Sequence, residues 1–262
     1  MLRPRIIPFL MIHKNQLYKT YKFSNPKYVG DPLNAVKIFN EKEVDELIIA
    51  DIDASVLNKE PNYKLIEKLA NECRMPFCYS GGIKSINQAK KILGLGVEKI
   101  GISSEILKNP ELIYSICSEI GGQSIVAILD LKKNESKNSY EIYYNNGKEL
   151  FNENAINFIL RLEELGIGEL LINSIDKDGT LEGYDFEFIE KIYRKIKIPI
   201  TLLGGGNSYD NIKELFSKYG LVGSAIGSFF VFKGKYRAVL INYPSKQDKN
   251  NILDNEINAT FE

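Results

Sequence analysis

Asp130 ends an apolar run over residues 124–130 and is followed by Leu131, Lys132 and Lys133. A carboxylate placed there can reach a substrate as a general acid or base, or can cap the next element. The chain supplies its own comparison, because it repeats. Residues 75–82 recur in pattern as 198–205, and the apolar run 6–11 matches 125–130, so Met11 sits where the other half has Asp130. A thioether carries no titratable proton, and losing a positioned acid or base typically costs about 10² to 10⁴ in rate. Any reaction that needs one carboxylate from each half is therefore compromised.

Glycine and serine form the second set. Gly81 and Gly82 follow one apolar run, and Gly204, Gly205 and Gly206 follow its repeat. Ser103 and Ser104, then Gly227 and Ser228, follow the next run in each half. A glycine pair after a strand is ordinarily a tight turn. Here the pairs recur with matching partners; glycine lets backbone N–H groups close on an anion, and a helix start favours phosphate. The pattern predicts two phosphate sites, one per half, and hence a phosphorylated small-molecule ligand. Lys19, Asp51 and Asp178 lie in or beside the loops at the same ends, either as contacts to such a ligand or as solvated charges.

Eight short apolar runs (5–11, 46–51, 76–80, 99–102, 124–130, 169–173, 199–203 and 222–226) could position these residues. They alternate with stretches of helical period, such as 34–40, 63–73, 86–95, 109–120, 153–165, 186–195 and 209–219. The runs are rich in Ile, Val and Leu without clean alternation, which suits parallel strands covered by helices. Several helical stretches stop at glycine: Gly96, Gly121, Gly166 and Gly220. Eight such units in 262 residues predict an α/β fold, a (β/α)8 TIM barrel built from two duplicated half-barrels, with its chemistry at the carboxyl ends of the strands. One barrel domain is expected over residues 1–244, with a polar, frayed tail over 245–262.

Composition narrows the class. With 34 basic and 34 acidic side chains the formal net charge is zero, so no global field draws the chain to nucleic acid or to an anionic membrane. No stretch reaches the roughly 18 apolar residues of a membrane span, and the apolar start is too short for a secretory signal. Three cysteines, Cys73, Cys78 and Cys117, lack C-x-x-C spacing and read as buried thiols of a cytoplasmic protein. The single His13 cannot build a zinc site unaided, and neither a metal nor a cofactor is expected.

Four stretches carry a family resemblance: Gly30-Asp31-Pro32, Asp51-Ile52-Asp53-Ala54-Ser55, Ser80-Gly81-Gly82-Ile83 and Ser174-Ile175-Asp176-Lys177-Asp178-Gly179-Thr180. Together they resemble the cyclase subunit of imidazole glycerol phosphate synthase, the partner of a glutaminase in histidine biosynthesis. The resemblance covers about residues 1–232. It implies a lyase in which two aspartates, ending strands one and five, act as general acid and base while ammonia attacks a bis-phosphorylated substrate. Asp130 matches the second of them, and Met11 stands in place of the first. Ser103 replaces the family's usual asparagine, and Asn173 its usual threonine. The family also admits ammonia at the opposite end of the barrel, past a ring of charges from strands one, two, four and six. Arg5, Glu46, Lys99 and Glu169 match all four, although any one of them alone would be an ordinary rim charge.

An ammonia gate kept beside an acid/base pair broken resembles a divergent branch, the glycosyl amidation proteins of surface-polysaccharide gene clusters. Residues 22–32 and 230–244 resemble that branch more than the histidine enzymes. The resemblance implies a glutaminase-like subunit at the N-terminal face of the barrel. It also implies a separate ATP-dependent amidotransferase that turns an acetamido sugar into an acetamidino one. Two other readings stand beside it: a genuine cyclase subunit in which Asp130 and Lys19 or a water cover for Met11, and a non-catalytic scaffold that binds a phosphorylated ligand.

Overall fold

A computed structural model describes residues 3–253. Eight parallel strands form a closed ring: β1 (Arg5–His13), β2 (Leu47–Asp51), β3 (Phe77–Ser80), β4 (Lys99–Ile102), β5 (Ile125–Asn134), β6 (Glu169–Ser174), β7 (Ile200–Leu203) and β8 (Gly223–Ile226). Each pairs with its successor. The ring closes where Arg5 of β1 lies opposite Gly223 of β8 and Pro8 opposite Ile226. This is the expected (β/α)8 barrel.

Helices α1 (Pro32–Glu41), α2 (Tyr63–Glu72), α3 (Ile86–Gly94), α4 (Pro110–Ile120), α5 (Ala155–Glu164), α6 (Phe186–Ile192) and α7 (Tyr209–Tyr219) wrap the ring. Local chemistry starts most of them. Asp31, Asn62, Ser85, Asn109, Asn154 and Ser208 each accept a hydrogen bond from a backbone N–H three residues on, satisfying a donor that the first turn leaves free. Gly96, Gly121, Gly166 and Gly220, beyond α3, α4, α5 and α7, take the positive φ that stops a helix.

Side chains alternate across each strand, and two cores result. The outer one lies between strands and helices and includes the fully buried Phe39, Phe77, Phe158, Phe216 and Phe230. A separate inner cluster, with Ile7, Phe9, Met11, Ile48, Ala50, Cys78, Val126, Ile128, Leu171, Leu203 and Ala225, fills the barrel itself. Among the described residues no helix is long and apolar enough to cross a membrane.

Two strands overrun the ring. β1 continues to His13 and folds back as an antiparallel hairpin over Gln16–Tyr21 and Ser24–Gly30. β5 continues past Asp130 to Asn134 and pairs with Ser139–Tyr144, which pairs with Glu149–Phe151. The turns explain the geometry: Lys14 and Asn15, then Asn145 and Asn146, hold positive φ at adjacent positions, as tight hairpin turns require. Asp130 is therefore inside a long strand, at the level where the barrel ends.

The frayed tail expected from residue 245 is corrected over α8 (Lys246–Leu253), which is helical and buries Ile252. Lys249 Nζ reaches Asp45 Oδ1 at 3.1 Å and the Glu43 carbonyl at 3.0 Å, and Lys213 Nζ of α7 donates to the Asn251 carbonyl at 3.1 Å. The helix is anchored on both sides, and residues 254–262 lie outside the described residues. The thiols also differ from expectation: Cys78 is buried, whereas Cys73, just past the end of α2, and Cys117, on α4, are half-buried. Burial pushes the Cys73 thiol up to about 12 and that of Cys117 to about 11.

Tyr243 ties the C-terminal segment to the barrel floor. Its hydroxyl donates to the Ile6 carbonyl at 2.8 Å and accepts from Asp45 N at 3.1 Å. Tyr243→Phe removes both partners' contact without changing shape, so urea denaturation is expected to show a loss of about 1 to 3 kcal/mol.

Candidate functional site

A cavity of two lobes opens at the carboxyl ends of the strands. The larger, about 120 Å³, is lined by Gly81, Gly82, Ser103 and Ser104 together with Asp51 and Asp130. The smaller, about 20 Å³, is lined by Gly204, Gly205, Gly227 and Ser228 together with Lys19 and Asp178. Phe9, Met11 and Asn173 border both lobes. Each glycine–serine quartet read from the repeat thus surrounds its own lobe. At Gly81 a Cβ would come within 2.5 Å of the Asp51 carbonyl, and at Gly205 it would collide with the Gly183 carbonyl, so backbone crowding demands glycine at both.

Asp130 and Lys19 are the titratable groups most displaced from ordinary behaviour here. Burial pushes the Asp130 carboxyl up to about 7, against the 2.8 Å hydrogen bond that Asn173 Nδ2 donates to its Oδ1, and the Asp178 carboxylate adds to the rise. Lys19 is 3% exposed, donates to the Phe9 carbonyl and lies 5.4 Å from the centroid of the Phe9 ring. Burial brings its ammonium down to about 7, with Asp178 opposing. A Cβ at position 227 would press on Lys19 Nζ at 2.7 Å, so Gly227 makes room for that amine.

The other acidic candidates are already engaged. Asp51 Oδ1 accepts from Asp53 N at 2.9 Å and Ala54 N at 3.1 Å, holding the turn after β2, while burial raises its carboxyl above the usual range. Asp178 accepts from Thr20 Oγ1 at 2.6 Å and Phe23 N at 3.1 Å. It thereby pins the β1 hairpin, and with it Lys19, over the cavity. Met11 is 8% exposed and presents only its apolar side chain between the lobes.

Several lining residues escaped sequence reasoning. Thr20 and Phe23 arrive on the β1 hairpin and Asn145 and Asn146 on the β5 hairpin; Asn146 Nδ2 bridges to the Ile52 carbonyl at 2.9 Å. Arg237 donates through NH2 to Ser228 Oγ at 3.2 Å, placing a guanidinium beside the second lobe. The hairpin signals were present in the alternation of residues 16–21 and 139–144, but nothing local points Arg237 at Ser228.

At the other end of the barrel the four predicted gate residues meet. Glu46 accepts from Arg5 and, at 3.0 Å, from Lys99 Nζ. Glu169 accepts from Arg5 NH2 at 2.8 Å and from Lys99 Nζ at 2.9 Å. The cycle alternates in sign and is complete. Thr201, which the sequence did not single out, adds a 2.6 Å bond to Glu169, and a Cβ at Gly223 would strike its hydroxyl. Burial works against the charges of Arg5, Lys99 and Glu169. For Glu169 it would raise the carboxyl, yet Arg5 and Lys99 outweigh it and hold the group below the usual carboxylate range. Glu169 and Glu46 likewise hold Arg5 and Lys99 charged in spite of burial.

The family model described as "Histidine biosynthesis protein" matches residues 5–237. The chain belongs to that family. It is 53% identical over 249 residues to a protein of Leptospira borgpetersenii provisionally named imidazole glycerol phosphate synthase subunit HisF, covering 95% of this chain and 98% of that one. A protein of Vibrio vulnificus provisionally named as subunit hisF3 is 50% identical over 254 residues, covering 97% and 98%. Identity is 38% over 218 residues to the imidazole glycerol phosphate synthase subunit HisF of Lactococcus lactis subsp. cremoris, covering 83% and 84%. The chain is thus a HisF-like member of the histidine biosynthesis family.

The two displaced groups pull stability in opposite directions. Between about pH 4 and 7 folded Asp130 holds a proton that the unfolded chain has lost, so its contribution to stability falls as pH rises. Between about pH 7 and 10 folded Lys19 lacks a proton that the unfolded chain keeps, so its contribution rises with pH. Asp130→Asn is expected to gain little at pH 4 and roughly 1 to 3 kcal/mol at pH 8 in urea denaturation. Equal effects at the two pH values would place the Asp130 carboxyl in its ordinary range.

Proposed function

We propose that this chain is the synthase-like subunit of a glutamine-dependent amidotransferase complex. A glutaminase docks at the N-terminal mouth, and the ammonia it releases passes the ion ring and the lumen to the upper cavity. The nitrogen serves amidation of a surface-polysaccharide sugar by a separate ATP-dependent protein. The observation that carries this reading is an unbroken ring of four charges beneath an apolar barrel interior whose upper end has Met11 where the repeat has Asp130. Walls formed by Ile7, Ile48, Val126 and Leu171 are costly for a charged ammonium and tolerant of neutral ammonia. The two glycine–serine lobes would hold a phosphorylated ligand.

Mixing the purified barrel with its cognate glutaminase should give a complex in which glutamine hydrolysis is faster. Absence of both the complex and the stimulation would overturn the conduit reading. Glu169→Gln withdraws a charge from between Arg5 and Lys99, and is expected to cost about 3 to 5 kcal/mol of stability and to loosen the coupling between hydrolysis and nitrogen delivery. Nitrogen transfer per glutamine hydrolysed, compared in folded protein at low temperature, measures that coupling.

One observation favours the ordinary cyclase reading: Asp130 and Lys19 both titrate near neutrality around one cavity, as an acid/base pair would. The cyclisation reaction with ammonium salt separates the two. Under the conduit reading wild type is inactive and Met11→Asp recovers activity, by up to about 10²-fold over background. Turnover by wild type at a rate that Met11→Asp does not improve would establish the cyclase.

A further inference from the structure

Asn173 holds an unused hydrogen-bond acceptor. Its side chain is 7% exposed and borders both lobes. Nδ2 is engaged by Asp130 Oδ1 at 2.8 Å, whereas no donor among the described residues reaches Oδ1. Above about pH 7, where Asp130 is ionised, the orientation follows from chemistry: a carboxylate only accepts, so the amide turns its N–H toward Asp130 and its oxygen away. A buried amide oxygen without a donor is costly and points to a ligand that supplies one.

The position says which ligand. Glu169, Leu171 and Asn173 are alternate residues of β6 and therefore share its inner face. Glu169 belongs to the ion ring, Leu171 to the apolar lining, and Asn173 stands where that lining gives way to the cavity. Met11, bordering the same two lobes, has no hydrogen to donate. A species that reached this acceptor through the apolar interior would have to be small, neutral and rich in N–H or O–H.

We propose that Asn173 Oδ1 is a holding site for ammonia at the top of the lumen. This rests on the conduit reading. One N–H bonds to the amide oxygen while the nitrogen lone pair stays free for the acceptor molecule in the cavity. Asp130 is the positioning residue, because its carboxylate fixes which way the amide faces.

The test uses the isolated barrel and side-chain amide 1H–15N NMR, with the Asn173 signal identified by its loss in Asn173→Thr. Ammonium chloride at mildly alkaline pH, which supplies neutral ammonia, is titrated against potassium chloride at equal ionic strength. A saturable shift of the Asn173 signal with ammonium alone is expected. The same response to both salts, or none to either, overturns the site and leaves water as the occupant. A specific shift without any complex with the glutaminase would keep the site and sink the conduit. A coupled complex without the shift would sink the site alone.

Discussion

Charges sunk into the floor of a barrel persist only when each is answered, and here four of them answer one another. Glu46 and Glu169 each accept from both Arg5 and Lys99, so every carboxylate has two cations and every cation two carboxylates. Removing any one leaves an uncompensated charge where water is scarce. The cycle constrains the frame, because β1, β2, β4 and β6 must begin at heights that let it close. It also reaches β7 and β8, since Thr201 can bond Glu169 only because Gly223 leaves space for its hydroxyl.

Above the ring the two halves keep the same frame and diverge in what they carry. Both present a glycine turn and a small hydroxyl to a lobe, and both lobes meet at Met11 and Asn173. A carboxylate in the place of Met11 would bring a second negative charge toward Asp130, which burial and Asp178 already push toward neutrality. The thioether brings no such charge and no titratable proton. Lys19, held by the Phe9 carbonyl and admitted by Gly227, is then the other group of the cavity that changes charge near neutral pH.

What could be read in advance follows the range of the signals. Strands and helices were legible because the Ile, Val and Leu runs, the Ser, Asn and Asp caps and the terminating glycines act within a few residues. The two quartets were legible because the repeat showed each beside its copy. The four ring residues came from family resemblance; nothing local says that Arg5 and Glu169 meet. The overrunning hairpins depend on positive φ at Lys14, Asn15, Asn145 and Asn146, which composition signals weakly. Helix α8 has only Ile252 buried among polar residues, so its sequence shows little amphipathic pattern and its order comes from Asp45 and Lys213. Thr201 was missed because its partner Glu169 is remote in the chain, and Arg237 because no local pattern turns it back onto Ser228.

Met11 and Asn173, the two departures that the family resemblance implies where the apolar interior meets the cavity, are mutually consistent. Asn173 in place of threonine provides two N–H groups and one oxygen on a rigid plane, so bonding Asp130 with one end commits the other to face elsewhere. Met11 in place of aspartate withdraws a competing acceptor and charge from the same space. Together they leave one carboxylate, one amide and an apolar wall at this level. Under the proposed conduit reading, such a junction would receive a small neutral donor more readily than it would move protons through a multistep cyclisation. Charge follows the same division: the ring holds four charges that answer one another, whereas burial brings Asp130 and Lys19 to where both change charge near pH 7.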